Sequence, residues 1–149
     1  MESTQLNTTT VRKEVVLDAS SDRVWRALTD KDQMKEWYFT LTDFKPEVGF
    51  EFSFSGTGSK GDEYVHLCRV TQAIPGKLLQ YTWTYKTYAG TSLVTFELTP
   101  EGNKTRLRLT HEGLESFAQN GPDFLASSFN QGWSALIEEG IGTYLKRTA

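Results

Sequence analysis

Hydrophobic and polar residues alternate along much of the chain between residues 48 and 113. A period of two is typical of β-strands that bury one face and expose the other to water. Together with a similar stretch near the start of the chain, the alternation predicts strands over residues 11–19, 48–56, 62–74, 77–85, 92–99 and 105–113. Each predicted strand has one apolar and one polar face, which indicates an antiparallel sheet that is covered on one side only.

Helical spacing replaces this period of two in three places. The segment VWRAL and a segment from Asp30 to about Trp37 are predicted to form two short helices after the first strand. Residues 123–147 repeat apolar side chains at the spacing of an amphipathic helix and are predicted to form one long helix. This order of elements favours an α+β domain whose curved antiparallel sheet wraps around the final helix.

The chain of 149 residues suits one domain over residues 11–149, preceded by a polar and flexible arm at residues 1–10. A net charge of −3 offers no basic surface to nucleic acid, and an anionic membrane would repel it. The single cysteine, Cys68, excludes an internal disulfide. Neither a signal peptide nor a membrane-spanning stretch is recognised, so a cytoplasmic protein is expected.

Four stretches of the chain resemble one known family. They are VWRALTDKDQMKEWY, PGKLLQYTW, LVTFELTPEGNKTRLRLTHEGL and NQGWSALIEEGIGTYL, and they follow one another in order within residues 11–147. The chain thereby resembles the homologues of the heat-shock protein 90 ATPase activator, within the START-like (SRPBCC) superfamily of helix-grip folds. The resemblance implies a seven-stranded antiparallel sheet that grips the C-terminal helix, and a cavity between them for apolar molecules. It implies no catalytic residue, because the family shares none.

Rows of aromatic residues lie on strand faces that are predicted to look inward, and 19 residues of the chain are aromatic, counting nine Phe, six Tyr and four Trp. Ligand cavities are mostly apolar and aromatic, with few polar groups. The alternative is that these rings simply fill the core. The candidate ligand-binding residues combine the rows with the inward stripe of the final helix and one entrance residue: Phe50, Phe52, Phe54, Tyr81, Trp83, Tyr85, His111, Phe129, Trp133, Leu136, Gly140 and Trp37.

His111 shares its strand parity with Leu107 and Leu109, so it is predicted to point toward the cavity. Three roles stay open for it: a structural histidine, a polar group that orients the ligand together with Tyr81, and an acid–base catalyst. Catalysis would need a proton-transfer partner within hydrogen-bond reach, and the sequence places none there.

Two short motifs are interpreted as incidental. GTGSKG at residues 56–61 fits the dinucleotide-binding pattern, but a strand follows it where that pattern needs a helix, so a hairpin turn is predicted. His66 and Cys68 share a strand face, but no further ligand has metal-binding spacing. Neither a metal ion nor a cofactor is therefore expected.

The final helix contains Gly140 and Gly142, and each lowers helix stability by about 1 kcal/mol relative to alanine. At roughly 100° per residue, Gly140 falls on the stripe of Trp133 and Leu136 that faces the sheet, where it leaves room for a ligand or for a close backbone contact. Gly142 falls on the opposite side and is predicted to face solvent.

The function favoured by these observations is non-enzymatic binding of a small apolar or aromatic molecule between the sheet and the final helix. The family name suggests one alternative, a chaperone-associated protein that acts with heat-shock protein 90. A cyclase or hydrolase working in the same cavity is the second alternative. The protein is expected to be a monomer or a weak homodimer.

Overall fold

Six antiparallel strands form one open, curved sheet in the computed structural model, which describes residues 10–57 and 61–148. The strands are β1 (Thr10–Leu17), β2 (Glu51–Thr57), β3 (Glu63–Ile74), β4 (Leu78–Tyr85), β5 (Ser92–Glu101) and β6 (Lys104–Glu112). Buried residues alternate with less buried ones along them, so the period of two located the strands correctly. Of the predicted arm at residues 1–10, only Thr10 lies within the described residues, and it begins β1.

The strand order is β1-β6-β5-β4-β3-β2. The first strand is therefore hydrogen-bonded to the last one, and every other pair of neighbours is consecutive in the chain. The chain must cross from one edge of the sheet to the other between β1 and β2. Two helices make this crossing, α1 (Ser21–Thr29) and α2 (Lys31–Trp37), and each begins at a side chain that accepts a backbone amide hydrogen of the first turn: Ser20 for α1 and Asp30 for α2.

The seventh strand implied by the family resemblance is absent from the described residues. Residues 38–50, which join α2 to β2, form neither a helix nor a strand. Pro46 has no N–H to donate to a neighbouring strand. Gly49 turns the chain with a φ of 94°, a conformation that is accessible mainly to glycine. The connection joins the sheet only at its end, where the Gly49 amide donates to the Val70 carbonyl over 2.8 Å.

The C-terminal helix consists of three consecutive segments: α3 (Ala126–Trp133), a π-helical segment (Ser134–Gly140) and α4 (Ile141–Arg147). It begins later than the predicted residue 123, because two short 3₁₀ segments precede it, Leu114–Asn120 and Pro122–Phe124. The helix packs against β1, at one side of the sheet. None of the described helices is long and apolar enough to cross a membrane.

The π-helical segment changes which residues of the C-terminal helix face the sheet. Hydrogen bonds in a π-helix join residues five apart, as between the Ile141 amide and the Leu136 carbonyl, so its turn is wider than that of an α-helix. Trp133, Ile137 and Ile141, each four residues apart, are buried, whereas Leu136 is only half-buried. A wheel of uniform 100° steps therefore does not hold along the whole helix.

Gly140 and Gly142 differ from their predicted surroundings in detail. Gly140 makes the close backbone contact and leaves no room for a ligand, because an added Cβ would lie 3.2 Å from the Ala135 carbonyl oxygen and 3.4 Å from that of Trp37. The prediction that Gly142 faces solvent is wrong. Gly142 is half-buried beside β1, and an added Cβ would lie 3.8 Å from Leu17 Cδ2, an ordinary contact distance.

Replacing Gly140 and Gly142 one at a time by alanine should distinguish their two environments. Gly142→Ala is expected to raise the free energy of unfolding by about 0.5–1 kcal/mol, because alanine loses less backbone entropy in a helix and its methyl group has room. Gly140→Ala is expected to lower it, because overpacking against fixed backbone costs about 1–3 kcal/mol and outweighs that gain. Urea denaturation measures both changes, and equal stabilisation by the two variants would contradict this description of the helix.

Candidate functional site

A cleft of about 420 Å³ lies between strands β2–β4 and the first part of the C-terminal helix. Aromatic rings form much of its wall, and Asp123 is the only acidic side chain among the described lining residues. The lining residues are Phe39, Gly56, Thr57, Tyr64, His66, Trp83, Tyr85, Asp123, Ser128, Phe129, Gln131, Gly132, Trp133 and Leu136. Gly56 and Thr57, the first two residues of the predicted hairpin turn, line this cleft, and residues 58–60 lie outside the described residues.

Five of the predicted site residues line the cleft: Trp83, Tyr85, Phe129, Trp133 and Leu136. The remaining seven lie elsewhere. Phe52 and Tyr81 fill the core, with their rings edge to face at 5.0 Å, and the hydroxyl of Tyr81 is hydrogen-bonded to that of Tyr38 at 2.7 Å. Tyr81 is therefore engaged inside the protein and does not reach the cleft.

Three further predicted site residues are also structural in their contacts. Phe50 packs edge to face on Phe44 at the margin of the sheet, with ring centroids 6.1 Å apart. Trp37 is buried, and its indole donates to the carbonyl of Ala27 over 2.8 Å, which ties α2 to α1. Gly140 faces the end of α2 and does not line the cleft.

Phe54 supports the wall of the cleft from behind. Strand pairing places Phe54 opposite His66 and His66 opposite Tyr85, so the three side chains form a row across β2, β3 and β4. The Phe54 ring stacks on His66 with centroids 4.4 Å apart and on Phe39 at the same distance. Phe39 and His66, which line the cleft, are thus held in place by a ring that does not.

His66 also lines the cleft. The sequence analysis interpreted His66 and Cys68 as a chance pair on one strand face and assigned no function to His66. It is 6% exposed, and its Nδ1 lies 3.2 Å from the Phe54 carbonyl oxygen, which can only accept, so Nδ1 carries a hydrogen. Burial lowers the pKa of His66 to about 4, although hydrogen bonds to backbone carbonyls oppose the shift. The ring is neutral at pH 7. Its inward strand parity, shared with Cys68, was the available signal.

Gly56 lets these rings approach the edge strand. A Cβ at this position would lie 3.0 Å from Cε1 of His66 and 3.4 Å from Cε1 of Phe39, closer than side chains normally pack. The first glycine of the GTGSKG motif therefore has a packing role in the cleft wall. A dinucleotide-type loop would require a helix after it, and β3 follows instead.

His111 connects the sheet to the C-terminal helix through both ring nitrogens. The indole of Trp133 donates to Nδ1 over 2.9 Å. Since an indole can only donate, Nδ1 bears no hydrogen, and in the neutral ring Nε2 donates to the Ser92 hydroxyl 2.6 Å away. Ser92 in turn donates to the Trp83 carbonyl over 3.3 Å. Every member of this chain is satisfied, which matches the structural role among the three left open.

The surroundings of His111 keep its ring uncharged. The residue is fully buried, and burial lowers the pKa of His111 to about 3, with a smaller contribution from His66. If the ring were protonated, Nδ1 would also carry a hydrogen. That hydrogen would point at the indole N–H of Trp133, which can only donate. His111 does not line the cleft, so it is not placed to touch a ligand.

Hydroxyl groups supply most of the polar chemistry around the cleft. The Trp83 indole donates to the Tyr85 hydroxyl over 2.9 Å. At another part of the wall, the Tyr64 hydroxyl donates to the Asp123 carboxylate over 2.8 Å, and this bond is the main reason that the pKa of Tyr64 rises to about 12. Among the described lining residues there is no Lys or Arg, and the described part of the chain has no group of three or more potential metal ligands.

Comparisons with known proteins agree with this architecture. The family model described as "Activator of Hsp90 ATPase homolog 1-like protein" matches residues 18–146. A crystal structure of a Mesorhizobium loti protein is 31% identical, with a TM-score of 0.78, over 94% of this chain and 98% of that one. A solution structure of an Arthrobacter aurescens protein is 20% identical, with a TM-score of 0.79, over 95% and 88%. The comparison with curated proteins gave no match.

Both buried histidines are expected to make the protein less stable in mild acid. A histidine whose pKa falls on folding stabilises the native state above its unfolded pKa of about 6.5, and this contribution is lost as the pH drops toward the folded pKa. Between pH 7 and pH 5 the free energy of unfolding should fall by about 2 kcal/mol for each histidine.

Urea denaturation at the two pH values measures this fall. His66→Gln and His111→Gln should each remove about 2 kcal/mol of it, whatever the variant does to stability at pH 7, because glutamine does not titrate. If the fall were unchanged in either variant, that histidine would not be held neutral by the fold.

Proposed function

We propose that the chain, which belongs to the family of Activator of Hsp90 ATPase homolog 1-like proteins, binds a small apolar or aromatic molecule in the cleft without transforming it. The observation that carries this proposal is the cleft itself, in which aromatic side chains of β3 and β4 face the C-terminal helix. Its volume of about 420 Å³ lies within the usual range for small-molecule sites, about 300–1,000 Å³.

Affinity would come from burying apolar surface. The rings of Trp83 and Trp133 are 5.8 Å apart and inclined at 54°, so they present two differently oriented apolar surfaces to one molecule. Each 100 Å² of apolar surface removed from water is worth about 2.5 kcal/mol before the costs of ordering. The preorganised wall keeps those costs low, because Trp133 and Trp83 are already fixed by hydrogen bonds.

Binding is favoured over catalysis because the reactive side chains near the cleft are engaged or unreactive. Both nitrogens of His111 are used within the protein. Cys68 is buried, and burial raises the pKa of its thiol, so the nucleophilic thiolate is suppressed. His66 is neutral but is surrounded by aromatic rings, with no carboxylate bonded to it among the described residues.

The description of the matching family supplies the second candidate, association with a heat-shock protein 90 chaperone. Its test is a pull-down with the purified chaperone in place of a lysate. Failure to form a complex would count against this candidate and would leave the ligand-binding proposal unaffected.

Filling the cleft should abolish binding of a neutral apolar probe. N-phenyl-1-naphthylamine is expected to bind the wild-type protein with increased fluorescence. Gly132→Trp should weaken binding at least tenfold, because Gly132 lines the cleft and an added Cβ there would meet no other atom within 4 Å, so the ring can enter the cleft without distorting the helix.

The matched control is Ser127→Trp, which adds the same ring to an exposed position of α3 outside the cleft. It should leave probe affinity unchanged. Absence of probe binding to the wild-type protein, or equal binding by Gly132→Trp, would overturn the proposed function.

A further inference from the structure

Tyr85 holds a hydrogen-bond donor at the cleft that the protein does not use. The Trp83 indole can only donate, and it lies 2.9 Å from the Tyr85 hydroxyl oxygen, so this oxygen is the acceptor of the pair. The hydroxyl still has its own hydrogen to donate. Within the described residues, the hydroxyl of Tyr85 makes no hydrogen bond other than the one from Trp83.

The hydroxyl is also a strengthened and permanently neutral donor. Accepting a hydrogen bond from Trp83 polarises the Tyr85 O–H, as in any chain of hydrogen bonds in a dry environment. Burial raises the pKa of Tyr85, so the hydrogen remains in place throughout the physiological range. Tyr85 is only 9% exposed, so a molecule that fills the cleft would displace the water that could otherwise accept this hydrogen.

The rest of the cleft decides which kind of acceptor fits. Asp123 is the only carboxylate among the described lining residues, and no cationic side chain accompanies it there. A carboxylate or phosphate on the ligand would lose its hydration without gaining an opposite charge. A carbonyl oxygen accepts a hydrogen bond at a much smaller desolvation cost, and a flat ring attached to it can pack on Trp83 and Trp133.

We propose that the cleft selects an uncharged aromatic ketone or quinone, and that Tyr85 determines this specificity by donating a hydrogen bond to the carbonyl oxygen. The inference rests on the proposed binding function and adds the chemical class of the ligand to it. Neighbouring aromatic residues that have no free hydrogen-bond donor could not determine specificity in this way.

A pair of probes with nearly the same shape tests the inference. 9-Fluorenone and fluorene differ in the carbonyl group, so calorimetric titration of both separates the hydrogen bond from ring packing. Wild-type protein should prefer fluorenone, and Tyr85→Phe should reduce that preference by about threefold to tenfold, the value of one neutral hydrogen bond. Tyr88→Phe is the control, because Tyr88 contacts Tyr85 in the same aromatic cluster but does not line the cleft.

A measurement on the wild-type protein keeps the test decisive if Tyr85→Phe folds poorly. The infrared C=O stretch of ¹³C-labelled fluorenone should move to lower frequency on binding, relative to its position in an apolar solvent. An unshifted stretch, or equal affinity for fluorenone and fluorene, would overturn the role of Tyr85 and leave the binding function standing. If neither probe bound, the proposed function itself would fail.

Discussion

The hydrogen bond from the Trp133 indole to Nδ1 of His111 joins the two layers of the fold at a point that water does not reach. Trp133 is 3% exposed and His111 is 0% exposed. If either partner were lost, the other would be left unsatisfied in a dry interior, at a cost of about 1–3 kcal/mol. Because Ser92 and the Trp83 carbonyl continue the chain, this one contact fixes the C-terminal helix relative to β4, β5 and β6.

The cleft follows from where this anchor sits. The C-terminal helix packs along β1, at one side of the curved sheet, and the anchor holds it there. On the inner face of β2–β4, Trp133 from the helix packs on Trp83, and Phe39 from the connection before β2 packs on Phe54. A cleft of about 420 Å³ remains between these side chains. The same aromatic residues that build the core therefore also line a site.

Parity along the strands could be predicted from the sequence, and it placed most inward side chains correctly. It could not distinguish rings that fill the core from rings that line the cleft. Phe52 and Tyr85 have the same inward orientation, yet Phe52 is closed off by Phe44, which belongs to an irregular segment without a period. Phe39 was missed for the same reason. His66 could have been found, because its parity matched that of Cys68 and Val70.

The face of the C-terminal helix was less predictable, because the π-helical segment leaves no mark in the spacing of apolar residues. Beyond Trp133, Ile137 and Ile141 take the buried positions, and Leu136 turns toward the cleft. The family resemblance implied a seventh strand, whereas the alternation alone predicted the six that are observed. Local periodicity was a better guide to the number of strands than the resemblance was.

The four tryptophans allow the central claim, that the cleft binds a neutral aromatic molecule, to be tested in one titration. Trp83 and Trp133 line the cleft, whereas Trp25 and Trp37 are buried among other elements and do not line it. In ¹⁵N-labelled protein, adding fluorenone should shift the indole N–H resonances of Trp83 and Trp133 and leave those of Trp25 and Trp37 in place. Shifts confined to Trp25 and Trp37, or no shift at any indole, would contradict the account.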